Sequence, residues 1–398
     1  MVARSQLNPT NHSAVPTKSS WFGIRFDRNE LSGAFGDIGT DLPLIVGVIL
    51  ASRLDAPSVL IMFGLMQILS GLIYRLPMPV QPLKAMAVIV ISQKVSPDIL
   101  YGGGLAIGIT MLVLSATGLI DWLARIVPKN VIRGIQFGLG LQLSLLALKD
   151  YVQADGAIGY GLAILGFTIT LFLLGNRRYP PALILIVIGV LYAGVFKMES
   201  FHIFESIGFH LPALHVPTTD AVLTGWILLA LPQLALSLGN SILATRQVIE
   251  DLFPGYPITV RKISWTYSLM NLVNPFLSGY PTCHGSGGMA GHYAFGARTG
   301  GSVIIEGALY LILGLFFGAG FEQVIQIFPK PILGVVLLFE GLTLMKLVRD
   351  MTDSRADFTI VLMVGLVAIG LPYGYVIGLL AGTLVAYLTN RGLTKMSE

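Results

Sequence analysis

Residues 281–300 read PTCHGSGGMAGHYAFGARTG, and residues 76–88 read LPMPVQPLKAMAV. The first stretch holds the chain's only cysteine, two of its six histidines and six glycines. Both interrupt an otherwise greasy chain of 398 residues, 54% hydrophobic and only 12% charged, with mean hydropathy +0.77. A soluble globular chain carries about 25% charge. With half of that, most of this surface must face lipid. Pro77, Pro79 and Pro82 deny the stretch at 76–88 a continuous helix, and Gly285, Gly287, Gly288 and Gly291 weaken helix in the one at 281–300. Irregular backbone at bilayer depth is tolerated only where it lines a cavity or is buried in protein. Each stretch therefore reads as an extended segment followed by a half-helix.

Outward from these two stretches, apolar runs of about 15–20 residues, enough to cross a bilayer of about 30 Å, recur along the chain. They fall near 37–52, 57–74, 78–93, 102–120, 130–148, 158–174, 180–196, 221–243, 259–277, 281–296, 300–318, 330–346, 357–371 and 373–390. The expected class is an all-α polytopic membrane protein with fourteen spans, the third and tenth broken. With the N-terminus inside, 19 of the 25 Lys and Arg residues fall in cytoplasmic segments and 5 outside, and Lys84 is left within a span. The positive-inside rule supports that orientation, with both termini cytoplasmic. Residues 1–30 lack the basic-then-apolar order of a signal peptide and read as a cytoplasmic tail. One cysteine leaves no internal disulfide. The net charge of +4 does not imply nucleic acid, because the placement of Lys and Arg matters more in a membrane chain than their sum.

The two halves resemble each other. RIVPKNVIRGIQFGLGLQL (125–143) aligns without a gap on QIFPKPILGVVLLFEGLTL (326–344), an offset of 329 − 128 = 201 between their prolines. A shift of 204 places LPMPVQP (76–82) on YPTCHGS (280–286). The first match relates spans five and twelve, an odd offset, so the second copy runs upside down. The expected organisation is a first repeat over 31–196, an external loop over 197–220 and a second repeat over 221–390. Inverted repeats with Gly/Pro-interrupted segments at matching positions are the signature of a secondary transporter. Two half-helix N-termini near the midplane make an anion site from free N–H groups and helix dipoles.

Three motifs carry a resemblance. FGDIGTDLP (35–43), MPVQPLKAMAV (78–88) and CHGSGGMAGHYAFGARTG (283–300) together look like the molybdate transporter family, a branch of the SulP anion transporters. The likeness spans residues of about 30–390. It implies the seven-plus-seven inverted-repeat fold shared with uracil permease, in which spans 1–4 and 8–11 form a core that carries substrate past a gate of spans 5–7 and 12–14. Most SulP chains end in a soluble STAS domain. This one stops about eight residues after its last span, which favours the molybdate branch.

Lys84 follows Pro82 on the first turn of the half-helix. A lysine in hydrocarbon needs a partner or a wet cavity. It reads either as the counter-charge of a bound oxyanion or as one arm of an ion pair, for instance with Asp37. Gln81 sits at the break with two N–H donors. His284, Ser286, Gly287 and Gly288 form the opposite lip, where the alternatives are backbone amides approaching an anion and plain helix packing. Thr40 and Asp37 come from span 1. Gln233 and Asn240, seven residues apart, share one face of span 8. Uracil permease relatives place an acidic residue in that helix, and none lies between Asp220 and Glu250, which argues for an anion. Asp37 and Glu340 are the candidates for proton coupling or ion pairing. Cys283, His292 and Tyr293 read as packing, and Arg298 as a cytoplasmic anchor.

The histidines show no metal-ligand spacing and no nucleotide-binding or nucleophile motif appears, so neither an enzyme nor a cofactor is expected. The expected function is import of a tetrahedral oxyanion, molybdate before sulfate, by alternating access in the cell (inner) membrane. An incoming dianion is opposed by about 2.3 kcal/mol per charge per 100 mV of negative-inside potential, which favours proton symport. The expected partners are the oxyanion, protons, the lipid bilayer and a second copy of the chain. An anion channel or a nucleobase permease of the same fold is the alternative.

Overall fold

The computed structural model describes residues 23–120, 122, 126–174, 181–196 and 207–393. The chain termini and the first part of the expected external loop lie outside these residues. The elements are, in chain order, α1 (Arg28–Ala34), α2 (Ile38–Ser52), α3 (Ala56–Tyr74), β1 (Val80–Pro82), α4 (Lys84–Gln93), α5 (Pro97–Thr117), α6 (Lys129–Tyr151), α7 (Gly156–Leu173), α8 (Pro181–Phe196), α9 (Thr219–Leu252), α10 (Val260–Val273), β2 (Thr282–His284), α11 (Ser286–Ala294), α12 (Gly301–Ile327), α13 (Lys330–Lys346), α14 (Arg355–Gly370) and α15 (Gly374–Asn390). Seven helices among the described residues are long and apolar enough to cross a membrane, with shorter apolar helices such as α4 and α15 between them.

The two quoted stretches behave as their sequence dictates. Each forms three extended residues and then a short helix: β1 then α4, β2 then α11. The two strands pair antiparallel, with Val80 opposite His284, Gln81 opposite Cys283 and Pro82 opposite Thr282. The helices leave the ribbon from its two ends in opposite directions, so both N-termini border it.

Around the ribbon α3 packs on α12, and α5 packs on α9 and α10. Elsewhere α6 packs on α13 and α14, and α14 on α15. Glycines permit the close approaches that drive helix association in lipid. A Cβ on Gly64 would lie 2.6 Å from the Gly307 carbonyl oxygen, and one on Gly140 2.5 Å from that of Gly341. Gly140 and Gly341 are the very pair aligned between the halves. The helices that carry them start at Lys129 and Lys330, each directly after a proline, and 330 − 129 = 201.

Two spans differ in length from the sequence reading. The expected span at 221–243 belongs to α9, which runs from Thr219 to Leu252 through two π-helical stretches, Trp226–Ala230 and Ser237–Ala244. Pro232 lies between them, and the looser π turns accommodate the hydrogen bond that it cannot make. The expected span at 300–318 continues as α12 to Ile327 through a kink at Phe317.

Candidate functional site

A two-stranded ribbon inside a bilayer has an obvious liability: its outer edges present backbone N–H and C=O groups with no water to satisfy them. Two buried amides solve it. Gln67 on α3 accepts from Val80 N at 2.8 Å and donates to Val80 O at 3.2 Å. Asn271 on α10 accepts from Thr282 N at 3.0 Å and donates to Thr282 O at 2.6 Å. Each side chain acts as a further strand. The sequence reading missed both, although a signal was present: 271 − 67 = 204, the same shift that aligned the broken segments.

At the α4 end of the ribbon, Lys84 is the first helical residue. Its Nζ lies 2.8 Å from Glu340 Oε1 on α13, with the lysine side chain 29% exposed and the glutamate 11%. Of the two acids named as candidates for an ion pair, Glu340 is the one that Lys84 meets. The free amides of the first turn are also taken, since Gln233 Oε1 accepts from Ala85 N at 2.9 Å and Met86 N at 3.3 Å. Gln233 Nε2 donates in turn to Ser237 Oγ at 3.0 Å, and that hydroxyl meets Tyr267 OH at 2.8 Å. The residue expected to touch substrate is a helix cap held by its own chain of hydroxyls.

The α11 end is different. Ser286 is the first helical residue and is half-buried, while Gly287 is exposed. A Cβ built on Gly287 would meet nothing within 4 Å. The first-turn amides have no intrahelical acceptor, and the cap residue, Gly285, has no side chain to take that role. Gly288 turns the other way: a Cβ there would overlap the Asp37 carboxylate and would lie 2.7 Å from Gln81 Nε2. The GSGG run thus divides, Gly287 facing open space and Gly288 packed.

Gln81 is buried, and its Nε2 donates to Asp37 Oδ2 at 2.5 Å and Asp41 Oδ1 at 3.3 Å. It joins the ribbon to the start of α2. His284 is wholly buried and has both ring nitrogens engaged, Nε2 with Thr266 Oγ1 at 2.8 Å and Nδ1 with Pro79 O at 3.2 Å. It locks the lip from behind, without a free nitrogen for a ligand. Asn240 lies half-buried in the second π stretch of α9, two turns from Gln233. Thr40 belongs to α2, but its side chain is outside the described residues. Cys283 is buried as a packing residue.

Two further acids, Glu30 and Glu306, escaped the sequence reading. Glu30 on α1 is fully buried and accepts from the amides of Arg298, Thr299 and Ser302 at 2.9–3.0 Å. It thereby caps α12 and fixes the GARTG turn, whose Gly296 has φ +113°. Arg298 folds over the Tyr293 ring at 3.5 Å. On α12 Glu306 is buried and accepts from Gln67 Nε2 at 3.1 Å, and His292 Nε2 of α11 lies 3.3 Å from it. Charged residues with no partner in sequence are hard to place before the helices are assembled. A separate cavity of 630 Å³ between α9 and α15 is apolar and contains none of these groups.

Comparison with known proteins fits this geometry. The family model described as "Molybdate transporter of MFS superfamily" matches residues 29–143 and 225–344, which hold both broken segments. The chain belongs to the molybdate transporter family. Molybdate transporter 1 of Arabidopsis thaliana is 31% identical, over 93% of this chain and 90% of its own length. Molybdate transporter 2 of the same plant is 33% identical, over 83% and 81%. In fold, the chain resembles the transmembrane domain of the cyanobacterial bicarbonate transporter BicA, with TM-score 0.66 and 16% identity over 92% of this chain and 98% of that one. It also resembles the murine anion transporter Slc26a9 in an inward-facing state, with TM-score 0.69 and 13% identity over 96% and 73%. The fold is thus of the SLC26/SulP type. The relatives are transporters, not enzymes, and the chain is an integral membrane protein of anion-transporter fold.

Proposed function

We propose that this chain imports molybdate across the cell membrane as a proton-coupled secondary active transporter, with both termini cytoplasmic. The observation that carries this reading is the pair of half-helix N-termini bordering one ribbon, with Lys84 at one and the open amides of Ser286 and Gly287 at the other. A tetrahedral dianion there meets helix dipoles, backbone donors and one lysine.

The core, α2–α5 with α9–α12, moves against a gate of α6–α8 with α13–α15. Lys84 belongs to the first group and Glu340 to the second, so their ion pair crosses the moving boundary. In the substrate-free chain Glu340 stands in for the anion. An arriving oxyanion displaces it from Lys84, and the freed carboxylate accepts a proton, which offsets part of the imported charge. Sulfate is the second substrate and a second copy of the chain is the proposed partner.

Calorimetry of the purified protein with molybdate, sulfate and uracil tests this. Molybdate is expected to bind most tightly and uracil not at all. Uracil binding would point to a nucleobase permease. Molybdate that flows through proteoliposomes without uphill accumulation would point to a channel.

A further inference from the structure

Among the described residues, the densest cluster of buried acids lies behind the ribbon rather than at Lys84. Asp37 and Asp41 at the start of α2 and Glu306 on α12 are each at most 3% exposed. Gln81 Nε2 donates to both Asp37 and Asp41 and so holds these two carboxylates together. His292 of α11 approaches Glu306 from the other side at 3.3 Å, and Gln67 of α3 donates to the same carboxylate oxygen, Oε2. Three buried carboxylates thus gather behind the ribbon with a histidine against one of them, and the nearby lysine is already paired with Glu340. Leaving all three ionised in low dielectric would be very costly.

A second observation locates the relief. Among the described residues, Glu306 Oε1 is buried without a hydrogen-bond partner, and so is the Tyr310 hydroxyl. Tyr310 follows Glu306 by four residues, so the two share a helix face. Both side chains are buried on that face. Glu30, from α1, is another buried acid packed on this helix, and it is engaged with the amides at the start of α12. The carboxylates do not converge as ligands of a metal ion among the described residues. A proton is the cation that fits.

We propose that Glu306, flanked by His292, Gln67 and Tyr310 and facing Asp37 and Asp41, is a proton-binding site that moves with the ribbon. The proton sits on Oε1, the oxygen without a partner, and cancels the carboxylate charge while Oε2 keeps its bond from Gln67. On release the proton passes to water when the site faces it. Only the transport consequence of this proposal rests on the proton-coupled reading above, and the site itself does not.

Infrared difference spectroscopy of the purified protein, stepped between acid and alkaline pH, reads protonated buried carboxyls directly. A carboxyl band is expected in the unsubstituted protein, absent in Glu306→Gln, shifted in Tyr310→Phe and retained in Glu340→Gln. A band unaltered by Glu306→Gln overturns the proposal. If that variant does not insert, Tyr310→Phe carries the test, and an unmoved band overturns it. In proteoliposomes, Glu306→Gln is expected to lose all stimulation of molybdate uptake by an inward proton gradient, while still exchanging labelled molybdate at a reduced rate. Uptake by the unsubstituted protein that ignores the gradient, alongside a Glu306-dependent band, would sink the coupling reading and uphold the site.

Discussion

The two half-helices start from the same ribbon and end up chemically unlike. In α4 the first turn is closed, with its amides capped by Gln233 and its lysine held by Glu340. In α11 the first turn is open, with a half-buried serine and an exposed glycine that has nothing within 4 Å of a built Cβ. Related segments thus differ at their first turns, one carrying a lysine held in an ion pair and the other an exposed glycine beside a half-buried serine. Their common scaffold is the pair of amide clamps, Gln67 and Asn271. The lesson is that a helix N-terminus is an anion site only when no side chain has already occupied it.

The hardest blow to this contrast falls at Lys84. Lys84→Ala is expected to abolish molybdate binding and to leave Glu340 without its partner, a loss of about 3–5 kcal/mol for a fully buried pair and less here because the lysine is 29% exposed. The double variant Lys84→Ala/Glu340→Gln should recover thermal stability and still fail to bind. Recovery of binding in the double variant would show that the lysine serves architecture alone. Lys84→Arg should rescue poorly, because a planar fork does not replace a compact ammonium.

Next in size is Gly288, the packed glycine of the open end. Gly288→Ala drives a methyl group into the Asp37 carboxylate and the Gln81 amide. Overpacking of this kind costs about 1–3 kcal/mol, and denaturation of the purified variant should show it. Unchanged stability with lost binding would mean that Gly288, too, faces the ligand.

Smaller still is the cap on the closed end. Gln233→Leu removes the acceptor of the Ala85 and Met86 amides, and loss of a helix cap costs about 0.5–2 kcal/mol. Stability should fall by that amount with little change in molybdate affinity. Tighter binding in this variant would reveal α4 as a second cradle that Gln233 normally blocks. Weaker binding at unchanged stability would make Gln233 a ligand contact.

Much of the architecture was legible in the chain. Prolines 77, 79 and 82 and the GSGG glycines announced the breaks, and the 201-residue offset reappears as the spacing of the α6 and α13 starts. Site residues were legible by location but not by role. Gln233, His284 and Gln81 all lie at the ribbon, yet each bonds to a protein partner far away in sequence, 148, 205 and 44 positions respectively. No local pattern encodes such partners. Glu306 shows the same limit from the other side: a lone acid in an apolar span acquires meaning only when Asp37, Asp41 and His292 arrive from other helices.

The finest test lies at Ser286, because it probes the open end without altering the backbone. The residue opens α11, its side chain is half-buried, and no hydrogen bond ties it down among the described residues. If the hydroxyl helps to receive an oxyanion, Ser286→Ala should weaken molybdate binding by about 0.5–1.5 kcal/mol, rising to about 3 if it meets a charged oxygen directly. Thermal stability should hardly move, since no partner is left unsatisfied. Gly287→Ala is the companion, adding a methyl group to open space where a packing role predicts no effect and a cradle predicts weaker binding. Calorimetry and thermal denaturation on the same preparations decide between the two half-helices. If both variants bind molybdate like the unsubstituted chain, the open turn of α11 is not the cradle, and the anion must sit at Lys84 alone.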